Sequence, residues 1–349
     1  MTRSLIVALS AAAALAVGCS RDEASQAKPE AGQAQPAATA ANAAGEIRRL
    51  DPAFDRLVAP DARLEKVATG FEFTEGPMWR DGRLWFSDLV GNKLVAVTPD
   101  GQTEVLLDKS GGLENPPAGA YLGSNALATD SSGAVLMAQH GLRRIVRLDD
   151  KFAATPVVER FEGKRLNSPN ELVYAADGAL WFTDPPFGLA KMDEDPAKEL
   201  AFNGVYRFKD GKLTAAIRDI PRPNGIGFSP DGKTLYVANS GPEMFIRAYP
   251  VAADGALGQG RTFATFSASE GEGVPDGLKT DSAGNVWATG PGGVHVFDPA
   301  GKLLGVLALP EVAANLAWAD GGRTLYITGS TSIYRLAVAT PGVMPLYVK

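Results

Sequence analysis

Six short stretches of this chain repeat one arrangement: Thr74-Glu75-Gly76-Pro77, Gly123-Ser124-Asn125-Ala126, Ser168-Pro169-Asn170-Glu171, Arg222-Pro223-Asn224-Gly225, Val274-Pro275-Asp276-Gly277 and Ala313-Ala314-Asn315-Leu316. Each leads to an Asp/Gly-type turn and then to an apolar strand. From Glu75 through Asn125, Asn170, Asn224 and Asp276 to Asn315 the spacing runs between 39 and 54 residues. A repeat of roughly 40–50 residues holding four short strands marks a β-propeller. The expected fold is therefore all-β, a six-bladed β-propeller with four antiparallel strands per blade. One carboxylate or amide recurs at the same phase of every unit. Closing the ring would bring six oxygen-bearing side chains to one axis, a way to build a hard-cation site from residues far apart in sequence.

The first unit shows the strand order. Glu75 to Trp79 reads as the innermost strand, turned by Arg80-Asp81-Gly82. Leu84-Trp85-Phe86 is the second strand, Leu94-Val95-Ala96-Val97 the third and Glu104-Val105-Leu106-Leu107 the outermost. Asp-Gly between apolar runs marks a hairpin, because Gly takes positive φ without steric cost. The last unit runs out after Ile333-Tyr334-Arg335-Leu336. A strand around Leu64 to Val67 should complete it and close the ring, with Pro345-Leu346-Tyr347-Val348 as the competing candidate. Closure removes open sheet edges. In each unit the second strand should return to the mouth where the repeated residue sits, ending at Asp88, His140, Asp184, Asn239, Gly290 and Gly329.

A chain of 349 residues, 45% hydrophobic, can bury one large core. Its formal net charge of −6 leaves no basic surplus for phosphates and excludes a nucleic-acid binder. The single cysteine, Cys19, allows no internal disulfide. Arg3 precedes an apolar run from Leu5 to Val17 that is too short to span a bilayer and suits a signal peptide. Ala16-Val17-Gly18-Cys19-Ser20 resembles a bacterial lipobox, with Ala16 where Leu is usual; ordinary cleavage after Ala14-Leu15-Ala16 is the rival reading. Residues 1–18 thus read as a signal peptide of lipoprotein type and Cys19 as the lipidation site. The domain is expected to be exported and anchored to a membrane by lipid, facing the periplasm. Residues 19–55 read as a flexible Ala/Pro/Gln-rich tether, and 56–349 as the propeller. A tether of ~30 such residues spans roughly 30 Å.

Glu75 and Asp276 are the two carboxylates of the axial six, with Asn170 and Asn224 as neutral oxygen donors between them. Two charges plus amide oxygens suit one divalent cation, Ca²⁺ first, with Mg²⁺ or Mn²⁺ keeping more waters. Zn²⁺ fits less well, since the chain holds only His140 and His295 as nitrogen donors. The bland alternative is that each Asn or Asp caps its own turn. Six in phase, two of them charged, would be costly to bury without a cation.

Glu75-Gly76-Pro77-Met78-Trp79, Leu166-Asn167-Ser168-Pro169-Asn170-Glu171-Leu172, Trp181-Phe182-Thr183-Asp184-Pro185-Pro186-Phe187-Gly188, Arg222-Pro223-Asn224-Gly225 and Pro275-Asp276-Gly277-Leu278 resemble the SMP-30/gluconolactonase/LRE family over about residues 70 to 330. The bacterial gluconolactonase branch is nearest, with Glu171 standing where an Asp recurs. The resemblance implies a six-bladed propeller with one axial divalent cation, often Ca²⁺, and hydrolysis of sugar-type lactones. It implies metal ligation by Glu75, Asn224 and Asp276, with Asn170 direct or through water. Animal members carry a substrate-contacting Arg where this chain has Ser168, so that contact is not implied here.

The expected chemistry is Lewis-acid polarisation of the lactone carbonyl as water attacks. Asp276 is the first candidate for the base that takes the water's proton, and His140 the second. Asn125, Asn170 and Asp184 are expected to meet the small-molecule lactone, with a second ion or turn capping as the alternatives for Asp184. His295, on a third strand, reads as structural. No G-x-S-x-G elbow occurs. The other class of reading is a non-catalytic periplasmic binding or scaffold propeller whose ion ties the blades together. Substrate choice should lie in loops such as Leu113 to Tyr121 and Leu189 to Phe202.

Overall fold

Asp81 and Gly82 take φ of 49° and 74°. These are the left-handed positions of a type I′ turn, whose twist matches the strands it joins. The turn folds Thr74–Arg80 back on Arg83–Asp88, setting Met78 opposite Trp85. Lys93–Val97 and Thr103–Asp108 complete this first blade. The computed structural model describes residues 44–348, and within them the unit recurs. Blades II to VI span residues 124–158, 172–217, 223–265, 278–308 and 313–337. The expected signal peptide, the expected lipidation site Cys19 and the expected tether as far as residue 43 lie outside the described residues.

The ring closes through strand pairing between distant parts of the chain. Glu65–Thr69 runs antiparallel to Ser332–Ala337, with Glu65 opposite Arg335 and Thr69 opposite Ser332. Residues 345–348 form no strand; Pro345, Leu346 and Val348 lie against the axial channel instead.

The tether boundary requires correction. Glu46–Arg49 pairs with Leu303–Ala308 as a fifth strand of blade V. Asp51 caps the 3₁₀ turn Pro52–Arg56, and Phe54 is fully buried in the core between blades V and VI. Arg49 donates to the carbonyls of Val58 and Ala59 at 2.8 and 2.6 Å. Residues 46–55 therefore belong to the propeller. Their short strand and one deeply buried ring were masked by the polar composition of the residues before them.

The apolar core is divided among the blade junctions. Leu84, Phe86 and Val95 of blade I pack on Tyr326 and Ile333 of blade VI. Met78, Trp85 and Leu94 pack on Met137 and Val146 of blade II. Similar clusters join the remaining neighbours. A strand buried on both faces can pack to either side, so each blade is held only by its neighbours and the ring by its closure.

Candidate metal centre and active site

Each axial residue sits where regular pairing breaks. In blades I, II, IV and VI the register of the innermost strand slips, between Glu75 and Met78, Ser124 and Leu127, Pro223 and Ile226, and Ala313 and Asn315. In blades III and V the regular strand begins only after the axial residue, at Leu172 and Leu278. An extra residue in one strand re-aims a side chain that simple alternation would send toward a neighbouring blade. Small residues then let the blades close in. A Cβ on Gly76, whose φ is 53°, would lie 2.2 Å from the Asn125 carbonyl oxygen. One on Gly277 would lie 2.0 Å from Asn315 Oδ1.

The structure brings Glu75, Asn224 and Asp276 together. Asn315 Nδ2 and the Gly76 amide donate to Glu75 Oε2 at 3.0 and 2.6 Å. The carboxyls of Glu75 and Asp276 lie within reach of a shared proton, and the Asn224 amide stands beside Asp276. Asn224 Nδ2 donates to Ser240 Oγ at 2.9 Å, which leaves its oxygen free. The Oδ1 atoms of Asn125, Asn170, Asn224 and Asp276 are all buried without a hydrogen-bond partner. Buried polar oxygens are otherwise nearly always paired. Five of the six axial residues are fully buried, and Asp276 is the most open.

The electrostatics point the same way. Burial lifts the Glu75 carboxyl from 4.5 to about 7, helped by the charge of Glu171 and opposed by the Asn315 hydrogen bond. Burial, then the charges of Glu75 and Glu171, push Asp276 well above the ordinary carboxylate range. Adjacent buried carboxylates each disfavour the other's ionised form. Three free amide oxygens around such a pair, with Asp276 Oδ1 itself unpaired, fit an oxygen-ligated divalent cation. Among the described residues no three His, Cys, Asp or Glu side chains gather as a metal set. The donors here are of mixed carboxylate and amide type.

His140 does not stand as a free base. Its ring is fully buried, and burial lowers its pKa to about 4, so it is neutral at neutral pH. Nδ1 lies 3.2 Å from the Tyr121 carbonyl and Nε2 lies 3.3 Å from Asn125 Nδ2. The Pro169 carbonyl also contacts the ring; assigned from the Tyr121 and Asn125 contacts, Nδ1 carries the proton and Nε2 accepts from Asn125. The imidazole thereby orients Asn125 and has no spare lone pair for water. Asp184 takes the turn-capping role that its sequence context allows equally with substrate contact. It is fully buried, and its oxygens accept from the Asn167 and Ser168 amides, both at 2.8 Å. Asp88 holds the Phe73 amide at 3.0 Å and Asn239 the Arg222 amide at 2.8 Å in the same manner. Three of the six second-strand ends, Asp88, Asp184 and Asn239, therefore pin the backbone just ahead of the axial residues. His295 keeps the structural place expected of it, with Nε2 2.9 Å from the Pro291 carbonyl.

Sequence reasoning missed a second ring, of hydroxyls. Thr183 Oγ1 accepts from the Glu171 amide, next to Asn170, at 3.1 Å. Thr289 Oγ1 accepts from the Asp276 amide at 3.2 Å and Thr328 Oγ1 from the Asn315 amide at 2.9 Å. Ser87 Oγ donates to the Asn125 carbonyl at 2.7 Å. The signal was present: each hydroxyl stands 12 or 13 positions after the axial residue of its own unit. Tyr121 was also missed. It lies at the mouth with its ring 5.2 Å from that of Phe73. Burial and then the charges of Asp276 and Glu75 raise its phenol's pKa.

The SMP-30/Gluconolactonase/LRE-like region matches residues 73–331, which encloses all six axial side chains. The chain belongs to this family. A gluconolactonase of Zymomonas mobilis is 35% identical over 314 residues, covering 85% of this chain and 87% of the relative. A pentonolactonase of Haloferax volcanii is 25% identical, covering 75% of this chain and 83% of its own. The solved structure of a gluconolactonase from Xanthomonas campestris superposes with a TM-score of 0.75 at 36% identity, covering 87% of this chain and 99% of that one. In all of this family member's described blades the expected four-stranded antiparallel unit is present, blade V carrying one strand more.

Proposed function

We propose that this protein is a metal-dependent lactone hydrolase acting on sugar-type lactones. The observation that carries the reading is the axial cluster, the buried Glu75 and half-buried Asp276 carboxylates among amide oxygens that have no partner among the described residues. The likeness to gluconolactonases of Zymomonas mobilis and Xanthomonas campestris supports the substrate class.

Glu75, Asn170, Asn224 and Asp276 would hold the cation, and their hard oxygen donors favour Ca²⁺ over softer ions. When bound, the ion would supply Lewis acidity toward the lactone carbonyl. Asp276, the most open of the axial side chains, takes the proton of the attacking water. The water oxygen bonds to the carbonyl carbon, the ring C–O bond breaks, and Asp276 returns the proton to the departing ring oxygen. Asn125 Oδ1, freed by the His140 contact, accepts from a substrate hydroxyl, with Asn170 of the next blade beside it. His140 positions and does not transfer the proton. Cys19 would tether the enzyme to a membrane facing the periplasm; Cys19→Ala releasing it into the soluble fraction would support that placement.

The test is a pH-stat assay over a panel of aldonolactones, on chelator-treated protein and after adding back Ca²⁺, Mn²⁺ or Zn²⁺. Hydrolysis should vanish on chelation and return with the ion. A protein that loses Tm on chelation yet opens no lactone in the panel would be a scaffold.

A further inference from the structure

Below the axial six, at the far ends of the innermost strands, lies a chamber of about 260 Å³. Trp79, Tyr174, Phe228 and Trp318 give it apolar walls, and Met344 and Leu346 of the C-terminal segment line it too. Glu171 and Lys279 face the same chamber. Glu171 is only 5% exposed, so it is no solvated surface acid.

These two groups connect to the axis through Asn315. Lys279 Nζ lies 3.6 Å from Glu171 Oε1 and 3.4 Å from Asn315 Oδ1. Glu171 Oε2 accepts from Asn315 Nδ2 at 2.6 Å, and the same nitrogen donates to Glu75 Oε2 at 3.0 Å. A continuous chain thus runs from Lys279 to Glu75. Both of its charged members follow ligands closely in sequence, Glu171 after Asn170 and Lys279 three positions after Asp276.

The charge count gives this chain a purpose. Glu75, Asp276 and Glu171 carry three negative charges when ionised, and Lys279 carries one positive charge. A divalent ion at the axis brings the set to neutrality. Without Lys279 one buried negative charge would stay unbalanced.

We propose that Lys279 is the fixed second cation of the centre: acting through Glu171 and Asn315, it offsets negative charge beside Glu75 and so moderates how tightly the axis binds a divalent ion. Lys279 is a positioning residue and touches no substrate. The inference rests on the cation reading above.

The sign of the effect separates this role from packing. Lys279→Met deepens the negative potential at the axis and should tighten Ca²⁺ binding about tenfold, whereas Glu171→Gln should weaken it by a similar factor. In the double variant the two charge changes cancel, so its affinity should return to within about threefold of the unaltered protein. Lys279→Arg should stay as close. The experiment is calorimetric titration of Ca²⁺ into chelator-stripped protein, with the Tm of the stripped protein as a folding check. Opposite shifts for the two single variants support the proposal. If both weaken binding while the unaltered protein still binds Ca²⁺, the proposal falls and the cation reading survives. If the unaltered protein takes up no Ca²⁺, Mn²⁺ or Zn²⁺, the cation reading falls and this inference with it. Should Lys279→Met fail to fold, the double variant decides, since it must bind more tightly than Glu171→Gln alone.

Discussion

Stripping the cation should leave a protein that loses stability as the pH rises, and Glu75 sets the size of the loss. Its carboxyl is 2% exposed, and burial lifts its pKa from 4.5 to about 7. In the unfolded chain the value falls back near 4.5. Between the two values the folded state therefore binds more protons than the unfolded one. This contribution to stability is complete below about pH 4.5 and is lost as the pH climbs through 7. The full loss is about 3 kcal/mol. Asp276 is shifted in the same direction and deepens it, although the two carboxyls titrate as a pair and their costs do not simply add. For a domain of about 300 residues, 3 kcal/mol is roughly 5 °C in Tm. A bound divalent ion favours the charged form of both groups and removes the loss. Thermal unfolding should be followed from pH 5 to 8, in chelator and in excess Ca²⁺. The chelated protein should fall behind by a gap that widens by roughly 5 °C across that range. Glu75→Gln in chelator should flatten the dependence. A chelated protein whose Tm is level or rises relative to the loaded one between pH 5 and 8 refutes the reasoning.

Asp276→Asn should cut lactone turnover by at least about a hundredfold while the fold survives, read by pH-stat and by circular dichroism. His140→Leu leaves Asn125 Nδ2 without its partner and should cost about 1–3 kcal/mol of stability. Its remaining activity should keep the original pH profile, whereas loss of an acidic limb would restore His140 as the base. Thr289→Val removes the acceptor of the Asp276 amide and should lower kcat more than it raises KM, measured at saturating lactone. Deleting the chain through residue 50 removes the extra strand of blade V and should only lower Tm. Deleting through residue 69 opens the ring, and calorimetry should then show no cooperative transition.

Much of the site was legible because the repeat has a phase. Glu75, Asn224 and Asp276 could be aligned as equivalent positions, and equivalent positions of a closed ring must meet at its axis. The same alignment would have exposed Ser87, Thr183, Thr289 and Thr328, one step inside the second-strand ends. Asp184, in Thr183-Asp184-Pro185, suits substrate contact and turn capping equally in sequence, and only the fold shows that its two oxygens hold backbone amides. His140 misled for another reason. An imidazole near a mouth suits proton transfer when it is wet, and burial among Tyr121 and Asn125 is a property of packing that no local pattern announces. The residues 46–55 were lost to composition, since four paired residues and Phe54 are too short a signal beside a long polar stretch.

The amino-acid sequence alone determined the blade count, the strand order, the closing strand near residue 65 and the identity of the axial oxygens. These follow from periodicity and turn chemistry, which are local and repeat along the chain. Tertiary structure alone decided that bulges turn the axial side chains inward, that His140 is dry and serves Asn125, and that Lys279 reaches Glu75 through two intermediaries. Burial, direction and charge balance depend on which strands end up side by side. In a ring closed by residues 65 and 335, that is settled only when the two ends of the chain meet.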